Sequence, residues 1–391
     1  MNLFQQNNSP DDLDETERLN WLRLIRTDNI GPVTFYQLIE RFGSATEALH
    51  ALPELSKRGG RKKPLSAPKE SLIAKEYREL QKLGGQIITV RDAAYPLALS
   101  TTDDAPPVLS VLGNADLLNK SCIAIVGARN ASLNGNKFAR KIASDLGARG
   151  QVIVSGLARG IDTAAHQGSV KTGTIAVMAS GIDVVYPDEN QNLYEEIIDK
   201  GLIVTENPLG AKPYAAAFPR RNRIVSGISK GVIVIEATMR SGSLITARLA
   251  AEQGRDVYAV PGSPLDPRSS GPNHLIREGA TLVRNADDVM EILMDFSGKS
   301  LREPPTAQAN FTPYPIAFDL QTQENSPEIT QEKILSALSF TPISIDELVR
   351  ACHLTISELQ STLLELELAG RVKRLHGNRI SLLEQSDSCK E

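Results

Sequence analysis

The chain has 391 residues, more than one ordinary compact domain holds, so two or three domains are expected. Its 41% apolar and 23% charged residues suit a packed globular core and exclude a wholly disordered chain. The net charge of −4 argues against a uniformly basic nucleic-acid binder, although acidic segments can mask a local basic site.

Residues 1–15 are polar, without the basic start and apolar stretch of a secretory leader, and read as disordered. No apolar run is long enough to span a bilayer. Cys122, Cys352 and Cys389 are odd in number and far apart, which fits neither a disulfide framework nor a cysteine zinc site. A cytoplasmic protein with no membrane association is therefore expected.

From 16 to 83 the apolar spacing predicts a small helical domain, of the helix-hairpin-helix or SAM-like kind. Leu19, Leu22 and Ile25 mark one helix, and Phe35, Leu38, Ile39 and Phe42 another. Asn29-Ile30-Gly31-Pro32 makes the turn between them, and Ser44 caps the next helix. Lys57, Arg58, Arg61, Lys62 and Lys63 crowd a stretch that reads as a solvated loop. Residues 84–118 form a proline-bearing connector with short strands.

Strand, turn and helix then alternate to about 297. Apolar runs fall at Cys122–Val126, Val152–Val154, Thr174–Met178, Leu202–Val204, Val232–Ile235 and Val257–Val260. Helical segments such as Asn136–Ala148, Gln191–Asp199 and Ser243–Gln253 separate them. The fold class predicted is α/β: a Rossmann-like, mainly parallel sheet covered on both faces. Residues 298–326, rich in proline, glutamine and asparagine, read as a linker. Three helices and a hairpin through His376-Gly377-Asn378 over 327–384 predict a winged helix.

In an open parallel sheet, ligands bind where strand carboxyl ends meet helix N-termini. Those ends read Gly127-Ala128-Arg129, Ser155 to Asp162, Ala179-Ser180-Gly181, Glu206-Asn207-Pro208, Glu236 to Ser243, and Pro261-Gly262-Ser263. Small residues let backbone N–H groups approach phosphate oxygens, and arginine supplies a bidentate fork. Arg220, Arg221 and Arg223 add a second basic concentration just after Phe218-Pro219. A strip of phosphate sites along one sheet edge is the reading that follows.

The anion is not a dinucleotide or a Walker-type nucleotide, because neither G-x-G-x-x-G nor G-x-x-x-x-G-K-[ST] stands at a strand end. His166 follows Asp162 by one helical turn without a second histidine or a cysteine, so it reads as a packed or capping residue, and no metal is expected. Asp183, Asp188, Glu206 and Glu236 are candidate acids or bases, but no nucleophile–base–orienter set joins them.

The central sequence resembles the DprA/Smf family, DNA-processing proteins of natural transformation. The resemblance is carried by Gly127-Ala128-Arg129, the stretch SGLARGIDTAAHQG from Ser155 to Gly168, and GTIAVMASGIDVVYPDEN from Gly173 to Asn190. FPRRNRIVSGIS from Phe218 to Ser229, the run from Val234 to Gly262, and GPNHLIREGA from Gly271 to Ala280 complete it. Met178-Ala179-Ser180 and Thr205 depart from the usual family residues without removing a charge. The resemblance implies a homodimer that binds and protects single-stranded DNA and loads the RecA recombinase, with no cofactor and no catalysis.

As DNA contacts it implies Arg129, Arg159, Phe218, Arg221, Asn222 and Arg223, with Gly127, Ser155, Gly156, Ser241, Gly242 and Ser243 forming the turns around the strand. Phe218 reads equally as a stacking face and as a core residue before Pro219. The alternative is a nucleotide-processing enzyme of the phosphoribohydrolase type, with Glu236 as its glutamate, although the full Pro-Gly-Gly loop of such enzymes is absent. A two-metal nuclease lacks its carboxylate cluster. The third winged-helix helix, Ile356–Leu368, carries Glu358, Glu365 and Glu367 and no lysine or arginine, which disfavours duplex reading. Positive charge falls instead on the wing, at Arg371, Lys373, Arg374 and Arg379, where an accessory contact or a protein–protein role is expected.

Overall fold

A computed structural model describes residues 13–298, 327–339, 342–375 and 378–383. Residues 1–12, the linker after Gly298 and the His376-Gly377 turn lie outside the described residues. The chain divides into two compact units, residues 1–25 with 69–298, and residues 26–68 with 299–391.

The helical front is shared between them. Its helices are α1 (Glu15–Ile25), α2 (Pro32–Phe42), α3 (Ala45–Arg58) and α4 (Glu70–Lys82). In the first unit, Arg18 of α1 holds Asp92 through both terminal guanidinium nitrogens, and Arg23 pairs with Glu70 of α4 at 2.9 Å. Arg91 lies over the Trp21 ring at 5.8 Å, closing this corner against the strand that follows.

That strand, β1 (Gln86–Thr89), and β2 (Val108–Gly113) flank the short helix α5 (Leu97–Ser100). The presumed connector is thus part of the sheet, because Ile87, Ile88 and Val108–Leu112 are buried as fully as the parallel strands. Then follow β3 (Cys122–Gly127), α6 (Leu133–Ala148), β4 (Val152–Ser155), α7 (Ile161–Ser169) and β5 (Thr174–Val177). After these come α8 (Gln191–Lys200), β6 (Leu202–Thr205), α9 (Ala217–Ile228), β7 (Gly231–Ile235) and α10 (Gly242–Glu252). The unit ends with β8 (Asp256–Ala259), α11 (Ser270–Arg277), β9 (Thr281–Leu282) and α12 (Ala286–Gly298).

The nine strands run in the order β1-β2-β6-β5-β4-β3-β7-β8-β9, parallel from β6 to β9 and antiparallel at β1 and β2. All six apolar runs read from the sequence lie on strands of this sheet. Each strand feeds both faces by alternation. Ile123 and Ile125 of β3 pack with Ala139, Ile142 and Leu146 of α6, while Ala124 and Val126 pack with Ile224, Val225 and Ile228 of α9. Chain direction across the sheet reverses at β3, whose neighbours are β4 and β7, and this places a crevice at the carboxyl ends of the central strands.

The second unit contains α2, α3 and the winged helix: α13 (Pro327–Ala337), β10 (Ile343–Ser344), α14 (Ile345–Cys352), α15 (Ile356–Leu368), β11 (Val372–Leu375) and β12 (Arg379–Leu382). Ile334, Leu348, Leu359, Leu363, Val372 and Ile380 close its core. Ser344 with Glu347, and Thr355 with Glu358, form reciprocal capping boxes that fix where α14 and α15 begin. Helix α3 packs on α15.

Candidate nucleic-acid interface

The turn after β4 is held from beneath by buried polar groups. Ser155 is fully buried, and its hydroxyl donates to the Ile125 carbonyl at 2.6 Å. Asp162, in the first turn of α7, accepts from the backbone N–H of Gly156 at 3.1 Å and of Ala158 at 3.4 Å. The intervening Leu157 N–H donates to His166 Nε2 at 3.3 Å. Leu157 sits in left-handed backbone, φ 54°, and these three bonds hold it there.

His166 is wholly buried, and Nδ1 lies 2.7 Å from the Thr174 hydroxyl, which itself donates to the Ile153 carbonyl. The Thr174 proton is thereby committed, so Nδ1 carries the histidine proton and Nε2 accepts. Burial, with Arg221 nearby, pushes the imidazole down to about 3 and keeps it neutral. His166 is the packed residue expected. Its task is to shape the turn.

Gly156 is glycine because Arg221 occupies the space a side chain would need; a Cβ there would lie 1.5 Å from Arg221 Nη1. Arg221 enters from α9, is 6% exposed, and donates from Nη1 to the Val177 carbonyl at 2.9 Å. Its Nε is buried without a hydrogen-bond partner among the described residues. Burial raises the Asp162 carboxyl, an effect that the Arg221 charge opposes.

Above this base lies a pocket of about 190 Å³ at the carboxyl ends of β3, β4 and β5. Arg129, Arg159 and Arg221 line it together with Phe218, Tyr186, Pro187, Pro213 and Met178–Ser180. The Arg129 guanidinium lies over the Phe218 ring at 4.8 Å, and the Tyr186 ring is 5.9 Å from Phe218. Phe218 is half-buried and belongs to this wall, apart from the apolar clusters on the two sheet faces. Arg159 is exposed and forms a direct ion pair with Glu189 at 2.8 Å on the surface. The pocket therefore couples guanidinium groups, suited to phosphate, with flat apolar faces, suited to a base.

Other expected contacts are placed elsewhere. Arg223 is buried two residues along α9, paired with Glu206, with Nη1 donating to the Asp104 carbonyl at 2.6 Å. It ties α9 to the end of β6 and has no free fork for a phosphate. Gly127 answers to packing, since a Cβ there would lie 1.9 Å from the Ile235 carbonyl oxygen. Asn222 donates to the Gly242 carbonyl at 3.3 Å, and the Ser241 and Ser243 hydroxyls lie 2.7 Å apart at the start of α10. A Cβ on Gly242 would meet nothing within 4 Å, so its backbone is open to approach. These α10 residues do not line the pocket.

Glu236, at φ 49°, accepts from the Ser132 backbone N–H at 2.7 Å and from its hydroxyl, securing the start of α6. A carboxylate so engaged acts as a capping group, and Glu236 does not line the pocket. Tyr186 and Pro213 were not singled out in the sequence. An aromatic before proline in the run VVYPDEN was the signal available for Tyr186.

Among the described residues no group of His, Cys, Asp and Glu is placed to hold a metal ion, and no helix is long and apolar enough to cross a membrane. The model of the DNA recombination-mediator protein A family matches residues 86–294. A DprA-like N-terminal HHH domain matches 15–78, and a DprA winged helix domain matches 319–378. Protein Smf of Synechocystis is 32% identical over 93% of this chain and 98% of its own. DNA processing protein DprA of Streptococcus pneumoniae is 47% identical over 56% of this chain and 76% of its own.

The X-ray structure of the S. pneumoniae protein superposes with a TM-score of 0.61 at 36% identity, covering 73% of this chain and 98% of that one. A Helicobacter pylori DNA processing protein A, solved for its single-stranded DNA binding mode, gives 0.50 at 30% identity over 54% of this chain and 97% of that one. With a sheet, a helical front and a winged helix all matched in order, the chain belongs to the DNA recombination-mediator protein A family, which includes DprA and Smf.

Proposed function

We propose that this protein binds single-stranded DNA without strong sequence preference, shields it without cleaving it, and hands it to a RecA-type recombinase. The observation that carries the reading is the pocket in which Arg129, Arg159 and Arg221 share walls with Phe218 and Tyr186. Arginine forks take phosphates of any sequence, and an aromatic face accepts any base, which is the chemistry of a sequence-tolerant single-strand site. Asn222 and the Ser241–Ser243 turn, with Gly242 open, extend the backbone track. Gly127, Ser155, Gly156 and Arg223 serve as its scaffold.

Delivery to RecA, a homodimer formed through the end of the central domain near Leu275–Leu293, and a cytoplasmic location are proposed from the family likeness. The domain plan proposed is a helical front at 16–83, the DNA-binding core at 84–297, a linker at 298–326 and the winged helix at 327–384. Absence of catalysis is proposed from the engagement of Glu236 in helix capping.

The test is a salt titration of binding to single-stranded and duplex DNA of equal length. Single strand is expected to bind more tightly, with affinity falling log-linearly by about 0.7 per phosphate contacted. Equal affinity for the two, or release of free base or cut DNA, would overturn the reading.

A further inference from the structure

Two basic runs from opposite ends of the chain meet in the second unit. The loop that follows α3 lies against the end of α15: a Cβ on Gly59 would sit 2.1 Å from the Glu365 carbonyl oxygen. Arg61 Nη1 donates to the Leu368 carbonyl at 3.3 Å, and Gln331 donates to the Arg58 carbonyl at 2.9 Å. Arg371, at the root of the wing, runs its guanidinium past Gly60, with Nη1 3.4 Å from where a Cβ would stand.

Strand alternation carries that face onward. Lys373 lies two residues along β11 on the same side as Arg371. Arg379 of β12 stands opposite Leu375, the next position on that side. Lys57, Lys62, Lys63, Lys373 and Arg379 are all exposed, as is Arg58, which pairs with Glu54. Several neighbouring acids are already engaged. Glu54 pairs with Arg58, Glu367 lies beside Arg374 and bonds Thr34, and Glu365 is buried.

We propose that this composite face is a second nucleic-acid site, one that grips phosphates and reads no bases. Helix α15, the groove-reading helix of a winged helix, is acidic and has α3 packed against it, which leaves backbone contact as the available mode. Lysines act as point charges toward phosphates and need no fork geometry. A protein partner is the weaker fit, because lysine is depleted from protein interfaces and the face has no buried aromatic anchor among its described residues. Every residue of the site belongs to the second unit, so the proposal does not rest on the pocket of the first.

The full-length protein with Lys62→Glu, Lys63→Glu and Lys373→Glu tests it, against oligo-dT of about 10 and about 60 nucleotides. The triple variant should keep its melting temperature and its affinity for the short strand. For the long strand it should lose about tenfold at low salt, with a log–log slope lower by about 2. In an Arg129→Ala, Phe218→Ala background, the long-strand binding that remains should vanish when the three charges are reversed. Wild-type affinity and slope for the long strand in the triple variant would overturn the proposal. So would a loss confined to poly-glutamate binding, which would mark an acidic protein as the partner. Failure of the pocket reading has a different signature: the Arg129→Ala, Phe218→Ala protein would bind the short strand as tightly as wild type.

Discussion

The two units carry positive charge in opposite ways. In the first, Arg221 is buried beneath the turn it supports, and Arg129 lies on an aromatic ring. In the second, lysines project from a loop and a strand with water around them. The first arrangement fixes geometry before any ligand arrives, and the cost of ordering is met in folding. The second supplies charge alone, which attracts any polyanion and fades with salt. The basic run Lys57–Lys63 lies in the second unit, whereas burial and neighbours rank the pocket of the first unit above it.

The largest expected effect breaks the comparison at Arg221. Arg221→Ala removes a buried guanidinium, opens a cavity under the Gly156 turn and strips Asp162 of its nearby charge. A stability loss of about 3–5 kcal/mol is expected, measured by urea denaturation. Gly156→Ala should act through the same contact, because its methyl must expel the guanidinium. Lys62→Ala and Lys373→Ala, in the second unit, should each stay within about 0.5 kcal/mol of wild type. Comparable losses at Arg221 and Lys373 would erase the distinction.

That distinction was only partly legible in the sequence. The six central strands were readable because a strand buried on both faces is apolar throughout, as Cys122–Val126 illustrates. The fate of Arg221 and Arg223 was not. They sit two residues apart on one helix, and what separates them is the Glu206 and Asp104 partners, which only the tertiary fold brings together. The sharing of helices between units was equally hidden. An amphipathic face states that a helix packs but not against what, and α1 and α4 join the sheet while α3 meets α15. His166 was placed correctly as a packed residue, since a lone histidine one turn from an aspartate lacks the ligands of a metal site.

The next effect sharpens the pocket's division of labour. Phe218→Ala should cost about 1–3 kcal/mol of single-strand affinity with little change in salt slope, because stacking releases no counterions. Stability should barely move, as the ring is half-buried and outside the apolar clusters. Arg129→Ala should do the reverse on the salt axis, flattening the slope by about 0.7. If Phe218→Ala lowers the melting temperature as much as the affinity, the ring is a core residue and the stacking assignment fails.

The smallest effect concerns Arg159, the pocket arginine most like the lysines of the second unit. Its Nε meets Glu189 at 2.8 Å, with both side chains more than half exposed. A pair in that setting contributes at most about 1 kcal/mol to folding and is screened by salt. It does set a competition, since a phosphate reaching Arg159 must displace the carboxylate. Glu189→Gln therefore should tighten single-strand binding by about two- to threefold at low salt, a few tenths of a kcal/mol. The gain should shrink as salt rises, because the carboxylate it removes is already screened there. Arg159→Ala should weaken binding, and adding Glu189→Gln to it should then change nothing, since the competition has lost its object. A double-mutant cycle on affinity reads this directly. Additive effects would mean that Glu189 repels the DNA on its own account and that Arg159 is not the residue it restrains.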